Sequence, residues 1–303
     1  MRMNGKLQTV IVIEIVILYT IASFFIPGGD DLYHYYLPFA AGDTSAGFVP
    51  YHAQFILAPL TWIPLRFLWP AWVLVSLVLL LWACRRLGGN PFVLLFSFPL
   101  LGQLWLGQVD ALIAAGLALA LTAKNSYLVG AGLVLASIKP QVAGVSILLI
   151  LWQKRREWRI WAVPVLVLAF SLAVFGPDWP LRWLLSGNRP AHHSWSFSSL
   201  FPWGLAAFAA VLLLRGEQEQ VRGSLIASAI GAPSFSVYSH VLLLLFDAPW
   251  WVVPLSFAWL LIHPAMGDDA VVFASIVPII LLALALKNHK TPGRFSFSNR
   301  DLL

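Results

Sequence analysis

Apolar runs separated by short clusters of lysine and arginine follow one another from Val10 to Leu286, and this alternation constrains the fold more than any single motif does. Hydrophobic residues fill 60% of the 303 positions and charged ones only 11%. A water-soluble core of this size cannot enclose that much apolar surface. The expectation is an all-α polytopic membrane protein, since an outer-membrane barrel would show alternating strands of roughly ten residues. The net charge of +6 comes from basic clusters between the runs. That is the positive-inside pattern, and no nucleic-acid partner is inferred from it. The 15 tryptophans suit interfacial belts. A single cysteine, Cys84, excludes an internal disulfide and a cysteine metal site. Val10 to Ile26 lacks a small-x-small cleavage site and is read as a retained first helix.

One integral membrane domain, 1–303, is expected. Arg2 and Lys6 hold the N-terminus inside, so a first helix over 9–26 delivers Asp30 and Asp31 to the outer face. An outer loop over 27–70 follows, with interfacial helical pieces because Pro59, Pro64 and Pro70 break His52 to Trp69. The remaining helices occupy 71–286, and 287–303 is a basic cytoplasmic tail. Pro91–Ala123 and Tyr127–Trp152 each have basic residues at both ends and a polar midpoint, Gly107-Gln108-Val109-Asp110 and Lys139-Pro140-Gln141. Each half is shorter than a full span, which predicts broken or re-entrant helices around a hydrated cavity. The count comes to about twelve transmembrane or re-entrant helices.

Under this topology the polar residues gather on the outer side: Asp30, Asp31, His34, Gln108, Asp110, Lys139, His192, His193, Tyr238 and His240. An outward cavity lined by acids, bases and a cation is the default place for a site. Plainer roles stand beside that one. Asp30 and Asp31 can cap a loop helix, as Gln108 and Asp110 can cap a return helix. Lys139 can snorkel, and His192, His193, Asp268 and Asp269 can simply be solvated. No histidine pair has metal-ligand spacing, so no metal is expected, nor any other cofactor.

Four patches, in order, resemble a known family. They are Asp31 followed by Tyr35 and Tyr36, then Tyr51-His52-Ala53-Gln54-Phe55 running to Pro59 and Pro64, then Gly107-Gln108-Val109-Asp110, and finally Ser137-Ile138-Lys139-Pro140 ahead of a basic cluster ending near Trp158. Ala232-Pro233-Ser234 to His240 is a weaker match. Together they resemble the bacterial polyprenol-phosphate-mannose-dependent mannosyltransferases of glycosyltransferase family 87, members of the GT-C membrane fold. The family commonly has Asn at the position of Asp110.

The resemblance implies a polyprenyl-phosphate-linked sugar donor, with mannose as the sugar, and a lipid or glycan acceptor. Transfer would take place on the extracytoplasmic side of the cell membrane, with inversion. Asp31 or Asp30 would act as catalytic base. Lys139, with His240 or Arg189, would hold the donor phosphate. His34, Tyr35, Tyr36, Gln108, Asp110, Tyr238 and His193 would line the substrate site. The rival reading is a secondary transporter or lipid flippase, which would also contain broken helices and buried ions.

Overall fold

In the computed structural model, residues 5–45, 49–185, 199–233 and 235–289 are described. They form helices throughout, with no strand among them. Helix α1 (Gly5–Ala22) exposes apolar side chains such as Val10, Ile13 and Ile17 along most of its surface, as a lipid-facing helix does. A π-helical turn (Leu32–Tyr36) and α2 (Leu37–Ala40) follow. The short α3 (Ala53–Leu57) then runs into a 3-10 turn over Ala58–Trp62. Stacking fixes this loop in place: Tyr51 lies against Trp179 at 5.5 Å, and Phe55 against Phe175 at 5.3 Å.

Helix α4 (Leu65–Leu87) is the central element, and more than half of it is buried. It runs through Pro70, where the sequence predicts a break. Pro70 sits in the second turn, so its missing N–H forfeits only one helical bond and the helix continues. The expected loop therefore gives way to a helix at Leu65.

Next come α5 (Pro91–Leu95), α6 (Phe98–Leu106), α7 (Asp110–Thr122), α8 (Ser126–Ala136) and α9 (Pro140–Gln153). Their N-termini follow ordinary capping chemistry. Asn90, Ser97 and Asn125 accept bonds from the backbone N–H of Phe92, Leu100 and Tyr127, satisfying donors that a helix start leaves unpaired. The remainder is α10 (Trp158–Phe175), α11 (Trp179–Leu185), α12 (Ala206–Val211), α13 (Glu217–Gly231), a 3-10 helix over Val237–Leu245, α14 (Val252–Met266), a 3-10 stretch over Gly267–Ser275 and α15 (Ile276–His289). Asp268 and Asp269 lie exposed on that last 3-10 stretch, with Asp268 3.4 Å from His263.

Among the described residues, four helical stretches are long and apolar enough to cross a membrane: α1, α4, α10 and Val252–Asn288. A fifth appears if α6 and α7, bent by 118° at their junction, count as one broken span. At 1.5 Å per residue, α8 and α9 reach only about 16 and 21 Å, short of the roughly 30 Å apolar slab. The expectation of short half-spans therefore holds at 98–153.

α7 and α8 pack antiparallel through glycine. A Cβ on Gly132 would lie 2.5 Å from the Gly116 carbonyl, and one on Gly116 would lie 2.5 Å from that of Gly132. Small residues allow this backbone approach, which drives helix association where no water is present to be expelled. Gly132→Val is expected to destabilise the protein by about 1–3 kcal/mol through overpacking. A thermal unfolding series in detergent checks this, and an unchanged midpoint would show that the contact is slack.

Candidate active site

The antiparallel register of α7 and α8 has a direct chemical consequence. Because the hairpin begins at Asp110 and returns toward Lys139, residues 29 apart in sequence arrive side by side. Lys139 Nζ lies 3.3 Å from both carboxylate oxygens of Asp110. Both residues are buried; Asp110 is 0% exposed and Lys139 6%. Lys139 therefore does not snorkel. Pro140 follows it as the first residue of α9, where a missing N–H costs nothing.

The α6–α7 elbow supplies the next group. Gly107 closes α6 with φ +72°, and a Cβ there would meet that of Leu32 at 2.7 Å. Only glycine suits both demands. The elbow carries Gln108 inward, where it is 2% exposed. Its backbone carbonyl accepts from Trp72 Nε1 at 3.1 Å and Gln103 Nε2 at 3.0 Å. Its side-chain oxygen accepts from Tyr36 at 2.9 Å and from Lys139 at 2.5 Å. Its amide nitrogen donates to Asp31 Oδ2. Gln108 thus joins acid to cation through one amide, whose oxygen accepts twice and whose nitrogen donates to Asp31. Burial first, then Tyr238, Asp31 and Asp110, push the Tyr36 hydroxyl well above its ordinary pKa. It stays protonated and donates.

The two adjacent acids separate. Asp31 stands at the start of the π-helical turn, makes no capping bond there, and turns inward to Gln108. Asp30 is exposed and lies 3.0 Å from His34, which also contacts the Asp30 carbonyl. One turn thus presents one acid to the interior and one to the surface. Tyr35 lies at the edge of the cluster, with its hydroxyl pKa raised by burial and then by Asp31 and Asp30.

The 3-10 helix over Val237–Leu245 closes the site. Successive residues on such a helix point about 120° apart, so Tyr238, Ser239 and His240 face three ways. Ser239 donates to Asp110 Oδ2 at 3.1 Å, and the Tyr238 ring lies 5.0 Å from Lys139 Nζ. His240 instead borders a small apolar cavity with Pro99, Leu244 and Val252, its ring 5.7 Å from that of Phe235.

The structure therefore brings together Asp31, Tyr36, Gln108, Asp110, Lys139 and Tyr238. It places Asp30 and His34 at the surface and His240 on another face. Arg189 and His193 lie outside the described residues, as does His192. Sequence reasoning passes over Ser239, Trp72 and Gln103. The sequence Val237–Leu245 carries no period that would signal Ser239, and the two bonds to the Gln108 carbonyl leave no local signal either. Nearby, His52 Nε2 meets Ser137 Oγ at 2.9 Å, and burial pushes the imidazole down to about 4, so it is neutral at pH 7. No group of three or more metal-ligating side chains gathers among the described residues.

Helices long and apolar enough to cross a membrane point to a membrane protein, and an acid, an amide and a lysine linked in series form its polar centre. Its family follows from the chain's own sequence. It belongs to glycosyltransferase family 87, whose model matches residues 50–201, half of the chain. Membership indicates glycosyltransferase activity. The matched stretch holds Gln108, Asp110 and Lys139, while Asp31, Tyr36, Tyr238 and Ser239 come from outside it. Neither a curated protein nor a solved structure matches the chain.

Proposed function

We propose that the protein transfers a sugar, mannose in our reading, from a polyprenyl-phosphate donor to a lipid or glycan acceptor, with inversion, in a fold of the GT-C type. The observation that carries the reading is the series Asp31–Gln108–Lys139–Asp110, half-buried at Asp31 and buried at the other three, which sets a carboxylate and a cation into one polar centre. A charge pair in an apolar bundle is costly unless it has work to do, and transfer from a phosphate-linked sugar needs these two groups.

Asp31 is the base and Asp30 is not, in this reading. The acceptor hydroxyl oxygen attacks the anomeric carbon, its proton passes to the Asp31 carboxylate, and the bond from that carbon to the phosphate oxygen breaks. The electron pair leaves with the phosphate, whose growing charge Lys139 offsets. Lysine has three N–H donors. Two serve Gln108 and Asp110, and the third is available to a phosphate oxygen. Gln108 orients the carboxylate. Tyr35 and Tyr36 flank the sugar, and Tyr238 borders the phosphate.

The site faces the extracytoplasmic side of the cell membrane in this proposal. Support comes from charge. Lys154 binds Glu217 at 3.1 Å and the Ala120 carbonyl at 3.3 Å, and Gln218 binds the Leu87 carbonyl at 2.8 Å. The far ends of α4, α7 and α9 are thus gathered with Arg85, Arg86 and Lys124 close in sequence. Asp110 and Lys139 stand at the opposite ends of their helices, and basic ends stay inside. In our reading the short helices add re-entrant passes to the candidate spans, toward the expected total of about twelve.

The 118° break between α6 and α7 also suits a transporter or flippase. Purified protein in liposomes, supplied with radiolabelled polyprenyl-phosphate-mannose and an extracted lipid pool, separates the two readings. Label moving to a new acceptor is the expected result. Donor left unconsumed while labelled lipid crosses the bilayer would replace the enzyme reading with transport.

A further inference from the structure

We infer that the end of the molecule opposite the polar centre holds a binding site for the headgroup of an anionic phospholipid, built by residues 153–159 between α9 and α10. The chain turns there around a cavity of about 750 Å³ that opens to the surface, a volume within the range of small-ligand sites. Three guanidinium groups line it. Arg155, Arg156 and Arg159 are all exposed, and none forms an ion pair among the described residues. Of the nearby carboxylates, Glu217 is paired with Lys154 at 3.1 Å, and Glu157, which also lines the cavity and accepts from the Ser126 hydroxyl, offsets only one of the three guanidinium charges. The cavity therefore keeps a surplus of positive charge, in the residue type whose forked donors fit a phosphodiester best.

The surroundings identify the phosphodiester as that of a lipid. Trp152 and Trp158 flank the arginines, each 67% exposed. Arg155 lies 4.6 Å from the Trp152 ring and donates to its carbonyl at 2.8 Å, and Arg159 lies 5.9 Å from the Trp158 ring. Exposed indoles belong at headgroup depth. Beyond them α10 presents Val165, Leu166 and Leu168 outward, an apolar wall for acyl chains continuous with the basic cavity. Basic clusters at the end of a membrane helix attract anionic lipid, at a strength that grows with each Lys or Arg.

The test is native mass spectrometry of the full chain released from nanodiscs of matched phosphatidylglycerol and phosphatidylcholine. It compares wild type, the triple variant R155Q/R156Q/R159Q, and a control that loses equal charge at the same end, R85Q/R86Q/R215Q. Wild type and control are expected to retain phosphatidylglycerol at least tenfold over phosphatidylcholine. The triple variant is expected to lose that preference, with affinity falling roughly fivefold per arginine removed. Equal retention of both lipids by wild type overturns the inference, as does a triple variant that binds like wild type. A control that loses as much as the triple would overturn it too, by tracing the effect to overall charge. If the triple variant does not fold, the single variant R156Q is read by the same criterion.

Discussion

Asp31→Asn is expected to lower sugar transfer by roughly a hundredfold to ten-thousandfold, the span a general base contributes, while Asp30→Asn stays close to wild type. The reason lies in one turn of chain. Asp31 turns into the buried series through Gln108, whereas Asp30 is exposed beside His34 and solvent can replace its contacts. Asparagine is nearly isosteric and keeps an oxygen to accept from the Gln108 amide, so the fold has no cause to change. What it loses is the capacity to take up a proton. The liposome transfer assay reads the rate, and a thermal midpoint within about 2 °C of wild type confirms that the variant is folded. Loss of transfer in Asp30→Asn with Asp31→Asn active would move the base to the surface acid. Full activity in both would remove the base from this loop.

The second large effect falls on Lys139. Lys139→Met takes the cation from a carboxylate that is 0% exposed and leaves Asp110 with Ser239 as its remaining side-chain donor among the described residues. Breaking a buried pair by removing one partner costs about 3–5 kcal/mol, while removing both charges is often neutral. The double variant Lys139→Met/Asp110→Asn is therefore expected to recover most of the lost stability and none of the transfer, since no cation remains for the phosphate. Unfolding in detergent measures the first quantity and the liposome assay the second. If the double variant recovers both, Lys139 is a structural counter-ion and the phosphate role must be given up. If Lys139→Met alone loses no stability, Asp110 carries no uncompensated charge in the fold.

The membrane class was readable from the sequence because it depends on bulk properties. Runs too apolar for water and basic clusters between them need no knowledge of packing. The polar midpoints at Gln108 and Lys139 were readable for the same reason: a polar residue halfway along an apolar run between basic ends leaves a turn as the economical solution. Residues 50–201, the stretch on which the family rests, contain both midpoints.

The extent of the helices was less legible. Pro70 predicts a break, yet α4 runs through it, because the burial of α4 outweighs one missing bond. The count of crossings depends on how short helices tilt and pair, which composition does not encode.

What the sequence determined by itself, then, was an all-helical membrane protein with several long apolar helices, and with acids and a lysine placed at turns. Tertiary structure alone decided which acid meets the interior, that Gln108 bridges Asp31 to Lys139, that Ser239 supports Asp110, and that His240 faces away. The cause is distance along the chain. Asp31 and Gln108 are 77 residues apart, and Ser239 and Asp110 are 129 apart. No local propensity links residues so separated; only the packing of α4, α6, α7 and the 3-10 helix over Val237–Leu245 into one bundle brings them within a hydrogen bond of each other.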